Sequence, residues 1–163
     1  MRRNSNIAGL IALLALAYAL PAAAQDSPKK LSFENYGFEL LPLEIESDQQ
    51  TVAVQMGMPA HDGFAANINV LIQPYAGSMA DYVAETETGM KQAGLQLTSM
   101  VELDGYLIIE YSGAIGGRNL HFYAKAFKRG DKFYLVTATG LESRWTTEKE
   151  QLIRVVDSFK NTK

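Results

Sequence analysis

The sequence predicts an α+β domain organised around an antiparallel sheet. Short runs of apolar residues recur at every second position and stop at Pro or Asp-Gly, as half-buried strands do. Two longer stretches carry their apolar residues at helical spacing instead. The strand-like runs in the second half are joined by connections of a few residues, whereas a parallel crossover needs a dozen or more.

Residues 1–24 stand outside that fold. Arg2 and Arg3 precede Ile7–Leu20, an uncharged run of 14 residues rich in Leu and Ala, and Ala22 and Ala24 take the Ala-x-Ala positions before Gln25. A positive start, an apolar middle and a small-residue end are the three parts of a secretory signal peptide. The run is shorter than the roughly 20 apolar residues that cross a bilayer, and Pro21 stops its helix. The expected organisation is a signal peptide at 1–24 cut between Ala24 and Gln25, a flexible polar lead-in at 25–30, and one domain at 31–163. Export to the periplasm follows, with secretion as the alternative; a leader kept as an anchor is the competing reading.

Tyr36, Phe38 and Leu40 alternate with polar or small residues and predict the first strand. Val52, Val54, Met56 and Met58 predict a second, closed by Pro59; Ile68, Val70 and Ile72 predict a third, ended by Pro74. Ser78 followed by Asp81 reads as a capping box opening a helix, with Tyr82, Val83, Thr86 and Met90 on one face and Gly94 as its left-handed end. Leu95 to Leu103 alternates up to the turn pair Asp104-Gly105, and Tyr106 to Tyr111 returns. That return is apolar at consecutive positions, which predicts cover on both faces. Gly113–Gly117 reads as a flexible connection, Leu120–Phe127 and Phe133–Thr139 as strands around Arg129-Gly130-Asp131, and Thr147 with Glu150 as a capping box for a C-terminal helix.

Charge and composition narrow the function. Losing the leader's two arginines would take the net charge from −3 to −5, which argues against nucleic acid and against electrostatic attachment to anionic lipid. The chain has no cysteine, so disulfide, thiolate and lipoprotein-anchor chemistry are out of reach. His61-Asp62 in the loop 59–66 and His121 on a strand are candidates for a metal or small-molecule site, but no His-Glu-x-x-His or related spacing accompanies them. No Gly-x-Ser-x-Gly surrounds Ser112, the glycine run lacks the Gly-Lys-Ser/Thr end of a phosphate loop, and Glu44, Glu46 and Asp48 read as a solvated loop. No catalytic residue, metal or cofactor is therefore assigned, and the chain is expected not to be an enzyme. Three residues are candidates for recognition: Phe64, which no strand pattern claims, Arg118 after the glycine run, and His61. Trp145 is expected to fold back onto the last helix as a staple.

The order of these features resembles the DcrB-like and PsbP-like group of small exported proteins. The resemblance spans roughly Phe33 to Phe159. It rests on Tyr36-Gly37-Phe38, on Asn67-Ile68-Asn69-Val70 leading to Ser78-Met79-Ala80-Asp81-Tyr82, and on Asp104-Gly105-Tyr106. Phe133-Tyr134-Leu135-Val136-Thr137-Ala138-Thr139 and the terminal Ser158-Phe159 complete it. It implies an α/β/α sandwich: a largely antiparallel sheet of about six or seven strands with helices on both faces. Members of the group serve as photosystem II accessory subunits, as chaperones for hydrophobic segments of effectors, as a small-GTPase binder and as envelope proteins. The resemblance therefore implies binding work without a shared catalytic centre. The expected function is a non-catalytic periplasmic binding or accessory protein whose partner is another envelope protein or peptide. No nucleic acid and no membrane span after signal cleavage are expected. The alternative is a small-molecule- or metal-binding periplasmic protein, an enzyme included, using the His61/Asp62 loop and His121.

Overall fold

The computed structural model describes residues 31–34, 37–41 and 52–160. The leader, its cleavage point at Ala24 and Gln25, the lead-in, Tyr36 and the acidic residues Glu44, Glu46 and Asp48 lie outside the described residues. The chain divides into two compact units at Glu44/Ile45. The first contains a hairpin of β1 (Leu31–Phe33) and β2 (Phe38–Leu40), in which Leu31 faces Leu40. The strand expected around Phe38 and Leu40 is thus β2, and its partner β1 was not anticipated.

The second unit holds a six-stranded antiparallel sheet. In chain order it comprises β3 (Val52–Gly57), β4 (Asn67–Pro74), helix α1 (Met79–Gln92), β5 (Gln96–Leu103), β6 (Tyr106–Ile115), β7 (Arg118–Arg129), β8 (Lys132–Leu141) and helix α2 (Trp145–Asp157). The spatial order is β3-β4-β8-β7-β6-β5. Strands β5 to β8 form a meander whose last member pairs with β4, so α1 carries the chain from β4 to the far edge. Register fixes the faces: Ile109, Ala124, Thr137 and Asn69 stand in one row, and Ile108, Lys125, Val136 and Val70 in the next. Adjacent rows point to opposite sides.

Helix α1 forms where Ser78 and Asp81 cap it. The Asp81 N–H donates to Ser78 Oγ at 3.1 Å, and the Ser78 N–H donates to the Asp81 carboxylate at 2.9 Å, which satisfies two otherwise orphaned amides. Gly94, at φ 69°, lies just beyond its end. Tyr82 is its buried residue and stacks on Phe133 with centroids 3.9 Å apart and planes 9° from parallel. Leu107, Ile109, Ala124 and Ala126 complete this layer. Helix α2 covers the other face, setting Trp145, Leu152 and Val156 against Ala66, Ile68, Val136 and Ala138. With a helix on each side of the sheet, the architecture is the α+β sandwich that the sequence predicts.

Three local expectations need correction. The glycine run is not a loose connection: β6 continues through Gly113 and Ala114 to Ile115, and only Gly116-Gly117 turns the chain. The expected capping box of Thr147 and Glu150 does not start α2. The helix begins earlier, at Trp145, after a 3-10 turn at Glu142–Arg144, and the Thr147 hydroxyl donates to the Arg144 carbonyl at 2.7 Å. Burial of Trp145 sets that start, overriding the local capping signal. Strand β6 is fully covered on one side only. Leu107 and Ile109 are buried while Tyr106 and Ile108 are half-buried, because α2 packs on β8, β7 and β4.

Phe133→Ala should cost about 3–5 kcal/mol, as a core aromatic truncation does, and Ser78→Ala about 1 kcal/mol through the lost cap. Urea unfolding followed by circular dichroism checks both. Equal small losses would contradict the assignment of Phe133 to the centre of the α1 layer.

Candidate functional site

The loop carrying His61 is a two-residue hairpin turn. His61 and Phe64 exchange backbone hydrogen bonds, each 2.9 Å, around Asp62 and Gly63 at φ 52° and 72°. Positive φ at both central positions defines a type I′ turn, for which Asp-Gly is a preferred pair. The sequence reading used that signal at Asp104-Gly105 and missed it at Asp62-Gly63. The Phe64 ring turns inward onto Leu120, Phe122 and Leu141, so it anchors the turn to the sheet. Arg118, 55 residues away, donates from Nη2 to the Gly63 carbonyl at 3.1 Å.

Arg118 and the turn thus come together at one end of the sheet. Beside them lies a shallow cleft of about 420 Å³ lined by Asp62, Arg118, Asn119, Leu141, Glu142 and Ser143. Its charges are of both signs. His61 is exposed and is not among the lining residues.

His121 lies on the α2 face and is buried. Its Nδ1 is 2.9 Å from Glu142 Oε2 and its Nε2 is 2.9 Å from Glu110 Oε1. The ring also stacks on Trp145, centroids 4.3 Å apart. That contact depends on Gly140, the cross-strand partner of His121; a Cβ there would meet the Trp145 ring at 3.2 Å. The two carboxylates sit against opposite nitrogens of the ring and do not converge on a common point. Among the described residues no group of three His, Asp or Glu side chains is placed to hold a metal ion.

A second groove, about 660 Å³, runs between α2 and β6 and is lined by Glu110, Lys149, Glu150, Ile153, Arg154 and Asp157. Asp157 is engaged by Lys125 Nζ at 2.8 Å and by the Tyr123 hydroxyl at 3.4 Å. Burial, aided by the Asp157 charge, pushes the Tyr123 phenol up to about 12. Burial likewise pushes Tyr111 up to about 12.

Past this groove the α2 face is uncovered. Val101 and Leu103 on edge strand β5 are 46% and 42% exposed, and both pair with residues of β6 on that face. Leu97 is exposed too, but a bulge between Leu97 and Ser99 puts it in the row of Tyr111, on the α1 side. Glu102 is the one charged residue of β5, which contains no Lys, Arg or Pro. Sequence reasoning treated the Leu95–Leu103 alternation as an ordinary half-buried strand. The strand's edge position depends on pairings remote in sequence and could not be read locally.

No protein-family model matches the sequence, and no curated protein is similar to it. Solved structures do share the fold. The crystal structure of protein PA94 from Pseudomonas aeruginosa, whose function is unknown, overlaps with a TM-score of 0.59 at 16% identity, covering 83% of this chain and 97% of that one. The solution structure of the cyanobacterial PsbP protein of Synechocystis sp. PCC 6803 overlaps at 0.45 with 18% identity, over 88% and 99% of the two chains. LpqN of Mycobacterium tuberculosis, involved in cell envelope biogenesis, overlaps at 0.37 with 14% identity, over 70% and 84%. Only the first overlap exceeds 0.5, and at its identity it speaks for the fold alone.

Among the described residues, no helix is long and apolar enough to cross a membrane. In a spectrophotometric titration of the folded protein, Tyr111 and Tyr123 should ionise near pH 12, about two units above a free tyrosine. Between those values the unfolded chain releases protons that the folded chain keeps, so stability should fall as pH rises from about 10 to 12. Ionisation of both rings near pH 10 in the folded state would contradict the packing described.

Proposed function

We propose that this chain is an exported, non-catalytic binding or accessory protein of the DcrB-like/PsbP-like kind, working in the cell envelope through contact with a peptide segment of another protein. The single observation that carries the reading is the uncovered edge of β5. Eight residues of edge strand present their outward backbone groups with Val101 and Leu103 exposed and Glu102 as the sole charge. Edge strands not meant for pairing are ordinarily blunted by Lys, Pro, inward charges or bulges; β5 has one bulge, at Leu97/Ser99, and one charge, Glu102, and pairs regularly with β6 from Ser99 to Leu103. Addition of an extended segment as a further strand uses such an edge directly: main-chain bonds supply affinity, and alternate side chains supply selectivity.

The charge balance specifies the occupant further. With Glu102 on the strand, Asp104 in the turn after it and a net negative chain, the fitting partner is an apolar extended segment carrying a Lys or Arg near Glu102. The leader supports an envelope location, and the resemblance of Tyr36-Gly37-Phe38, Ser78–Tyr82 and Phe133–Thr139 to the family supports an accessory role. The sequence candidates at the other end fit this reading as structural parts: Phe64 and Arg118 hold the turn 61–64 onto the sheet.

Capture of partners from the protein's own envelope extract tests the surface, comparing wild type with Val101→Lys/Leu103→Lys and with Arg118→Ala. The edge variant should lose the partner at least tenfold while Arg118→Ala retains it. Equal capture by all three would remove β5 as the contact, and loss with Arg118→Ala alone would move the contact to the cleft at Asp62.

A further inference from the structure

We propose that His121 is a proton-operated clamp on the start of α2: as an imidazolium it ties β7 both to Glu110 of β6 and to Glu142 of the turn leading into the helix, and on losing a proton it keeps only one of those ties. The geometry is specific. Both ring nitrogens lie 2.9 Å from a carboxylate oxygen. An ionised carboxylate only accepts hydrogen bonds, so making both requires an N–H on each nitrogen. A neutral ring has one N–H and one lone pair, and the lone pair would face a carboxylate oxygen at the same distance. That contact is repulsive and has to open or admit water.

The three tied groups come from three elements, so the bonds are structural rather than local. Glu142 is followed within one turn by Trp145, the first residue of α2, whose indole stacks on the His121 ring. An imidazolium over an indole face is further favoured by attraction to the ring's electrons. Opening the Glu142 side would loosen the turn from Glu142 to Arg144 and the Trp145 seat above Gly140.

Other charges face the clamp from each side. On α2, Lys149, Glu150 and Arg154 line the groove with Glu110, and Asp157 there is held by Lys125 of β7, with Tyr123 alongside. At the sheet end, Asp62 and Arg118 line the cleft with Glu142. Glu148, also on α2, is held by Arg144 at 2.6 Å. Only Glu110 and Glu142 bond the ring among the described residues. Because Glu110 belongs to one cleft and Glu142 to the other, deprotonation hands an unpaired carboxylate to one of them, and the clamp links the state of both.

Nitrogen-15 NMR of the His121 ring, with unfolding temperatures of the full chain from pH 5 to 8, tests this. While both ring nitrogens carry protons the Trp145 indole signals should hold one position, and they should move together with the loss of either ring proton. Across the observed loss of that proton the unfolding temperature should fall by about 5 °C in wild type and in His61→Gln, and stay level in His121→Gln. A ring that keeps both carboxylate contacts after losing a proton would overturn the proposal, as would a His121→Gln variant with the wild-type pH dependence. Should that variant fail to fold, the wild-type signals decide: Trp145 unmoved while His121 titrates would overturn it as well.

Discussion

Everything in the sheet unit depends on burying both faces of β7 and β8 at once. Phe133, Ala126 and Ala124 are sealed under α1, and Val136 and Ala138 under α2. Two helices can approach a sheet this closely only if the central rows alternate large and small side chains. The alanines supply the small positions, so Tyr82 can lie flat on Phe133 and Leu152 can reach Val136 and Ala138. A larger residue at Ala126 or Ala138 would lift a helix from the sheet, and overpacking of that kind is itself destabilising.

Two helices of 13 and 14 residues cannot cover six strands on both sides. Placing them over the centre leaves the edges partly bare, and the topology decides which residues are left there. On the α2 side the bare positions are Val54 and Met56 on β3 and Val101 and Leu103 on β5. The polar groups that do occur near the helix are held by partners: His121 by two carboxylates, and Asp157 by Lys125 and Tyr123. Among the described residues, His121, Glu110, Glu142, Lys125, Asp157, Arg144 and Glu148 form ion pairs at or beside α2, and the exposed apolar side chains of that face lie on the edge strands. This division is the ground on which the proposed binding role at the β5 edge rests.

Much of the fold was legible in the sequence because the signals were local. Ser78 with Asp81, the Asp104-Gly105 turn and the alternation of Val52–Met56 and Ile68–Ile72 each depend on neighbours within a few residues. The site was less legible. Phe64 looked unclaimed because its contacts, Leu120, Phe122 and Leu141, lie more than 50 residues away. His121 and Arg118 could not be matched to partners without the register of β6, β7 and β8. Trp145 displaced the capping signal at Thr147 because burying an indole against the sheet outweighs a single cap. The run Gly113–Gly117 misled for a related reason: glycine's freedom suggests a loop, but ten continuous pairs between β6 and β7 extend the ladder to its last two members.

Amide hydrogen exchange of the isolated protein tests most directly whether a doubly covered centre leaves an open β5 edge. The β7 and β8 amides should exchange slowest, at rates set by global unfolding. The amides of β5 that point away from β6 should exchange orders of magnitude faster. Outward β5 amides as protected as those of β7 would mean that the edge is already paired or covered, and would contradict the account.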